Sequence, residues 1–169
     1  MKIILPATIE RKLAATLRKA GQQEIGGILM GEYIEEGMYR VQELTVQGQA
    51  GTFASFVRLA KEIVVPLQHF FRKTRYDYKR FNYLGEWHSH PSFLARPSQR
   101  DSETMWEMLQ DADIGAHFAV LLVVRLSSAC QVEGTVTVYL PERISFEAEL
   151  LREEPIELSN QESMEHGAP

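Results

Sequence analysis

The stretch LGEWHSHPSFLARPSQRD, residues 84–101, concentrates residue types that bind metals and move protons. His88 and His90 stand two apart; seven residues separate His90 from Ser98, and two separate Ser98 from Asp101. On a strand, residues i and i+2 share a face, so the two imidazoles project side by side. Imidazole is a common zinc ligand. A bare His-x-His pair reads more readily as decoration of an edge strand. The residues downstream change that weight. Ser98 and Asp101 form an S-x-x-D start ahead of an apolar helical pattern. Ser98 then caps the helix, and Asp101 faces the free N–H groups of its first turn. A side chain held at a helix entrance has the rigidity a third ligand requires. Two histidines and one aspartate leave a fourth position for water, the catalytic arrangement of zinc rather than the closed structural one.

Such a site also needs a carboxylate that takes a proton from the water without being a ligand. Glu86 and Glu103 are the local candidates, and Glu86 has the strand parity of His88 and His90. Glu24 is the distant one, placed before the apolar run GGILMG. Spacing does not choose among the three.

The elements that must position these groups follow from periodicity. Residues 6–20 read as an amphipathic helix, with Ile9, Leu13, Leu17 and Ala20 on one side, Thr8 as a cap and Gly21 beyond its end. IGGILMGEYIE reads as a buried strand, and MYRVQELTV at 38–46 as its partner across the turn Glu35-Glu36-Gly37. Residues 47–57, with Gly48 and Gly51, read as a loop. A helix is predicted from about 58 to 76, with Leu59, Ile63, Leu67 and Phe70 on one side and Pro66 kinking or dividing it. FNYLGEWHSHP is a strand ending in proline, PSQRDSETMWEMLQDA starts a helix, and HFAVLLVVRLSS and CQVEGTVTVYL are two more strands with a turn or bulge between them. This order predicts one α/β domain over residues 1–154, a mixed β-sheet flanked by helices, followed by a polar, mobile tail over 155–169.

Composition narrows the function classes. The chain has 169 residues, 44% apolar and 24% charged, enough for one globular core. Its net charge of −5 and lack of a large basic block argue against nucleic acid as a partner. The most basic stretch, RKTRYDYKR at 72–80, reads as a solvated helix end. The lone Cys130 excludes an internal disulfide and reads as a small core residue. No apolar run is long enough to span a bilayer, and MKIILPATIER lacks the features of a signal peptide, so a cytoplasmic location is expected. Trp87 alternates away from the histidines and, like Trp106, reads as packing; His69 and His117 have no paired spacing and read as structural.

With these residues in view the sequence resembles the JAB/MPN metalloproteases. His88-Ser89-His90, Ser98 and Asp101 match their JAMM motif, and EIGGILMG at 24–31 is similar to the upstream segment that carries the family's glutamate. The resemblance covers about residues 5–140 and implies a JAB/MPN-like, cytidine-deaminase-like architecture. It implies one catalytic zinc ion on His88, His90 and Asp101, Glu24 as general base and then acid, and Ser98 as a group that holds the oxyanion. It settles the choice of carboxylate on Glu24 by analogy. It also implies cleavage of an isopeptide or peptide bond after the tail of a ubiquitin-like protein. The short chain and the GEWHSHPS context resemble the bacterial branch tied to ubiquitin-like conjugation, including CBASS antiphage systems, where the peptidase removes a conjugated nucleotidyltransferase or processes a ubiquitin-like precursor. Eukaryotic relatives carry longer insertions that grip ubiquitin, and nothing here corresponds to them. A flexible tail is expected to enter as an added strand beside an exposed edge. The competing readings are a non-catalytic, zinc-stabilised binding module and a peptidase that trims a sulfur carrier or a phage-tail protein. A cytidine deaminase is excluded, because its P-C-x-x-C needs a second cysteine.

Overall fold

The glycine-rich apolar run and the alternating segment after it form an antiparallel pair, with Tyr33 opposite Tyr39 and Leu29 opposite Leu44. In the computed structural model, which describes residues 1–47, 60–111 and 115–153, the elements in chain order are β1 (Lys2–Leu5), α1 (Ala7–Ala20), β2 (Gly26–Glu35), β3 (Met38–Leu44), α2 (Ala60–Lys73), β4 (Phe81–Ser89), α3 (Gln99–Gln110), β5 (Ala119–Leu126), β6 (Val132–Leu140) and β7 (Ile144–Arg152). The rest of the expected loop, 48–57, and the expected tail lie outside the described residues.

The expected sheet flanked by helices is corrected. The strands close into a seven-stranded barrel in the order β1-β3-β2-β4-β5-β6-β7. Closure comes from β1, which pairs in parallel with β3 through Lys2 and Met38 and in parallel with β7 through Lys2 and Glu149. Neither β1 nor β7 belongs to the strands expected from the sequence. Each described strand has a neighbour on both sides, so no whole strand offers an open edge to a peptide.

The barrel interior holds Ile3, Leu5, Leu29, Val41, Leu84, Trp87, Val120, Leu122, Val124, Val136 and Val138, joined by Ile9, Leu13, Ala14 and Leu17 of α1. Each fully buried branched aliphatic of this kind contributes about 1.5–3 kcal/mol. On the outside, α3 covers β5: Met105 and Leu109 pack on Ala119, Leu121 and Val123. β5 is therefore apolar on both faces, as a strand covered on both sides must be. α2 covers β2 and β4, with Phe70 against Ile28 and Met30.

Three local expectations are also corrected. Helix α1 is capped at Pro6 and not by Thr8, with the Pro6 carbonyl accepting from Ile9 and Glu10; the fixed φ of proline suits a helix start and needs no side-chain acceptor. Of the two effects expected of Pro66, division of the helix does not occur: α2 runs unbroken through it, its buried face on the barrel outweighing one missing N–H. That helix ends at Lys73, where Thr74 hydroxyl donates to the Phe70 carbonyl and Arg75 and Tyr76 turn to positive φ. Cys130 is exposed, at positive φ between β5 and β6. No helix among the described residues is long and apolar enough to cross a membrane.

Candidate metal centre

β4 runs from the far end of the barrel to the site, and one irregularity sets which side chains it presents there. Leu29 pairs with Gly85 and Met30 with Tyr83, so Leu84 is an extra residue, a bulge. Gly85 sits at φ +152, and a Cβ there would lie 1.9 Å from the Val120 carbonyl oxygen, so only glycine fits. Beyond the bulge the strand alternates. Trp87 and Ser89 face inward, at 1% exposure each, while Glu86 and His88 face outward. Trp87 is core, as expected, and its indole N–H donates to the Thr45 carbonyl at 2.8 Å.

The strand then leaves the barrel. His90 is still fixed by its N–H, which donates to the Val124 carbonyl at 2.9 Å. The loop 91–97 is tied at several points. Arg125 donates to the Phe93 carbonyl, Thr135 hydroxyl to the Ala95 carbonyl, and Ser92 hydroxyl to the Gln22 side chain. It delivers the chain to Ser98, where the expected cap forms in full. Asp101 N–H donates to Ser98 Oγ at 3.2 Å, and Ser98 N–H donates to Asp101 Oδ2 at 2.6 Å.

That same Oδ2 points at the histidines, 3.6 Å from His88 Nε2 and 3.7 Å from His90 Nε2, while the two Nε2 atoms are 3.0 Å apart. Tetrahedral zinc with ligands at about 2.0–2.1 Å requires ligand atoms about 3.3 Å apart. The three separations fall on either side of that value, and the donor set of two imidazoles and one carboxylate suits the ion. His90 Nδ1 lies 3.1 Å from the Leu94 carbonyl. A carbonyl only accepts, so Nδ1 carries the hydrogen and the Nε2 lone pair is turned toward Asp101, the second-shell arrangement typical of metal-bound histidine. Burial works against a charged Asp101, but the His88 imidazole and the Ser98 side chain and N–H overcome it and hold the carboxyl well below the usual carboxylate range.

The candidate carboxylates separate. Glu103 is exposed on α3 and accepts from Gln99. Glu86 is buried at 4% exposure, and its carboxylate accepts from the Tyr83 hydroxyl at 3.4 Å, a contact the bulge creates by placing residues three apart on one face. Burial pushes its carboxyl up to about 8. Glu24 is exposed just before β2. The antiparallel register pairs Gly26 with His88, and Ser89 N–H donates to the Ile25 carbonyl, so Glu24 is aligned with His90. A Cβ on Gly26 would lie 3.1 Å from His88 Cβ, and glycine keeps that flank clear. His69 and His117 are exposed and apart from the cluster. Ser89, which the sequence places between the ligands without a role, and Gln22 and Ser92 join the Glu24 segment to the ligand strand and loop. Only that position marks Ser89 in the sequence.

A mixed barrel thus brings two imidazoles and a capping carboxylate together at one end, a group that could hold a metal ion. A family model described as prokaryotic homologs of the JAB domain matches residues 6–137, and the chain belongs to this family. A protein of Enterobacter hormaechei subsp. hoffmannii (strain UCI 50) named CD-NTase/cGAS isopeptidase is 29% identical over 123 residues, which span 72% of this chain and 65% of that protein. The fold is shared with the solution structure of protein DSY2949 from Desulfitobacterium hafniense, at a TM-score of 0.58 and 18% identity over 95% of this chain and 99% of the other. It is also similar to a protein from Salinibacter ruber (strain DSM 13855), at a TM-score of 0.52 and 18% identity over 98% and 97% of the two chains.

Proposed function

We propose that this protein is a zinc-dependent isopeptidase that cuts after the tail of a ubiquitin-like protein, in a bacterial antiphage system of the CBASS type. The observation that carries this reading is the convergence of His88, His90 and Asp101 within 4.8 Å of one another. The family and the isopeptidase name of the Enterobacter relative support it, and that name favours a conjugated nucleotidyltransferase as the target.

His88, His90 and Asp101 would hold a zinc ion, which when bound would supply Lewis-acid polarisation of the scissile carbonyl and lower the pKa of a water to about 7. Glu24 takes the proton of the attacking water and returns it to the leaving amine. Ser98 Oγ already accepts from Asp101 N–H, which leaves its own hydrogen free to donate to the carbonyl oxygen as negative charge develops there. Phe93 and Leu94, each 67% exposed, stand beside His90 and offer apolar contact to a substrate tail. With every described strand paired on both sides, the tail is gripped by this rim and not by addition to a whole strand.

The test is a fusion of a ubiquitin-like protein, tail intact, to a reporter or to a nucleotidyltransferase of the CD-NTase type. The zinc-loaded protein is expected to cut after the tail, a chelator to stop it, and added zinc to restore it. Zinc binding without cleavage of any tail fusion would favour the binding-module reading.

A further inference from the structure

Glu24 has to be held over a pair of ligands that lie 64 and 66 residues further along the chain. Its own segment is short: α1 ends at Ala20 and β2 begins at Gly26. Ile25, the next residue, is 3% exposed and is gripped from both sides by Ser89. Ser89 N–H donates to the Ile25 carbonyl at 2.8 Å, and Ile25 N–H donates to Ser89 Oγ at 3.0 Å. The first bond is an ordinary rung of an antiparallel ladder. The second replaces the reciprocal backbone rung with a side-chain acceptor, because the Ser89 chain is already turning out of the barrel.

Ser89 is one of three buried polar or charged residues among those described, and it points away from the metal ligands on either side of it. A serine at 1% exposure in an apolar barrel needs a partner, and its partner is the backbone beside Glu24. A second, exposed tie lies at the other end of the same segment, where Ser92 hydroxyl donates to Gln22 Oε1 at 2.9 Å. The segment 22–25 is therefore fastened at both ends to the ligand loop, at Ser89 and at Ser92.

We infer that Ser89 is a positioning residue for Glu24, with Ser92 and Gln22 as a weaker second tie. Ser89 transmits the position of the histidine strand to the base and does not touch substrate or metal. This rests on the proposed function above, in which Glu24 is the base. Losing the inner tie leaves the ligands in place and lets the base drift, and a misplacement of about 1 Å costs roughly 100-fold in rate.

The experiment compares Ser89→Ala, Ser89→Cys and Ser89→Thr in the full chain, alone and combined with Glu24→Gln, at temperatures well below each variant's Tm. Ser89→Ala should lower kcat about 10- to 100-fold with KM held within about threefold, and Ser89→Thr, which keeps the acceptor, should recover most of the loss. Ser89→Cys keeps the volume and weakens the acceptor, so it reports the same loss if the alanine variant does not fold. In the Glu24→Gln background the Ser89 changes should cost nothing further, because both act through one group. Two readouts need no turnover: the Ile25 amide should exchange faster by about tenfold or more in Ser89→Ala, and zinc affinity should stay within about threefold of the parent. Ser92→Ala should lower kcat by no more than about fivefold, as expected for an exposed hydrogen bond. An equal Ser89 effect with and without Glu24, or a zinc affinity that falls in step with kcat, overturns the proposal for Ser89 alone. A parent chain that binds zinc and cuts no tail fusion removes the proposed function, and the role of Ser89 with it.

Discussion

Two carboxylates flank His88 and have opposite fates. Asp101 comes from the first turn of α3, and Glu86 from the strand two residues before His88. Asp101 has the Ser98 N–H and side chain and the His88 imidazole beside it, and its carboxyl is held well below the usual range. Glu86 is buried with the Tyr83 hydroxyl beside it, and burial pushes it up to about 8. Burial opposes charge at both positions, so the difference lies in the donors. A helix N-terminus turns a buried carboxylate into an anion fit for a cation; an apolar wall turns one into a neutral acid. The cluster therefore has one carboxylate held as an anion, one neutral carboxyl in the wall beside it, and a third, Glu24, exposed at the start of β2.

Breaking the charged member should have the largest effect. Asp101→Asn removes both the ligand charge and the acceptor for Ser98 N–H, so zinc affinity should fall by more than the 10- to 100-fold typical of second-shell changes. Isothermal titration or chelator competition measures it, and a zinc affinity unchanged by this substitution would remove Asp101 from the site.

The neutral member should instead control stability. A carboxyl raised from 4.5 to about 8 on folding is protonated in the native state while the unfolded chain has already ionised. Its contribution is fully present below about pH 4.5, declines as pH rises toward about 8, and is flat above that. In zinc-free protein, Glu86→Gln should match the parent at pH 4 and exceed its stability by about 1–4 kcal/mol at pH 8, since one pKa unit corresponds to about 1.4 kcal/mol. Urea unfolding at the two pH values decides this. A Glu86→Gln variant less stable than the parent at pH 8 would mean that Glu86 is charged in the fold. Its cleavage rate should stay within about threefold of the parent, because Glu86 handles no proton in the reaction.

The smallest effect belongs to the rim. Phe93→Ala removes an exposed ring and should leave the unfolding free energy within about 0.5 kcal/mol of the parent while KM for a tail fusion rises about 3- to 30-fold. A change in kcat at constant KM would mean that Phe93 supports the ligand loop and not the substrate.

The cluster of His88, His90 and Asp101 was more legible in the sequence than the barrel. His88 and His90 at strand spacing, and Ser98 and Asp101 as a cap, are local patterns, and local patterns survive folding. The likeness of Glu24 to a family's base came by analogy, and the antiparallel register between β2 and β4 supplies a physical reason for its place. Closure was not legible, because it joins the two ends of the chain: β1 has four residues, and its partner β7 begins at Ile144. The signal in β7 was present and passed over. Ile144, Phe146, Ala148 and Leu150 alternate with Ser145, Glu147 and Glu149, a period of two ahead of the acidic end of the chain. The bulge at Leu84 was hidden for another reason. Leu84, Glu86 and His88 look in phase along the sequence, and only the extra residue sends Leu84 inward while Tyr83 and Glu86 come out together. Cys130 misled through its apolar neighbours, since a turn at positive φ leaves it in solvent.

The central claim is a division of labour: His88, His90 and Asp101 hold the ion, and Glu24 moves the proton. The most direct measurement takes zinc content and tail-fusion turnover together for the parent and for Glu24→Gln. The account predicts that the variant binds zinc within about threefold of the parental affinity and cuts about 10²- to 10⁴-fold more slowly, the range for loss of a general base. Parental turnover by Glu24→Gln, or loss of its zinc, would contradict it.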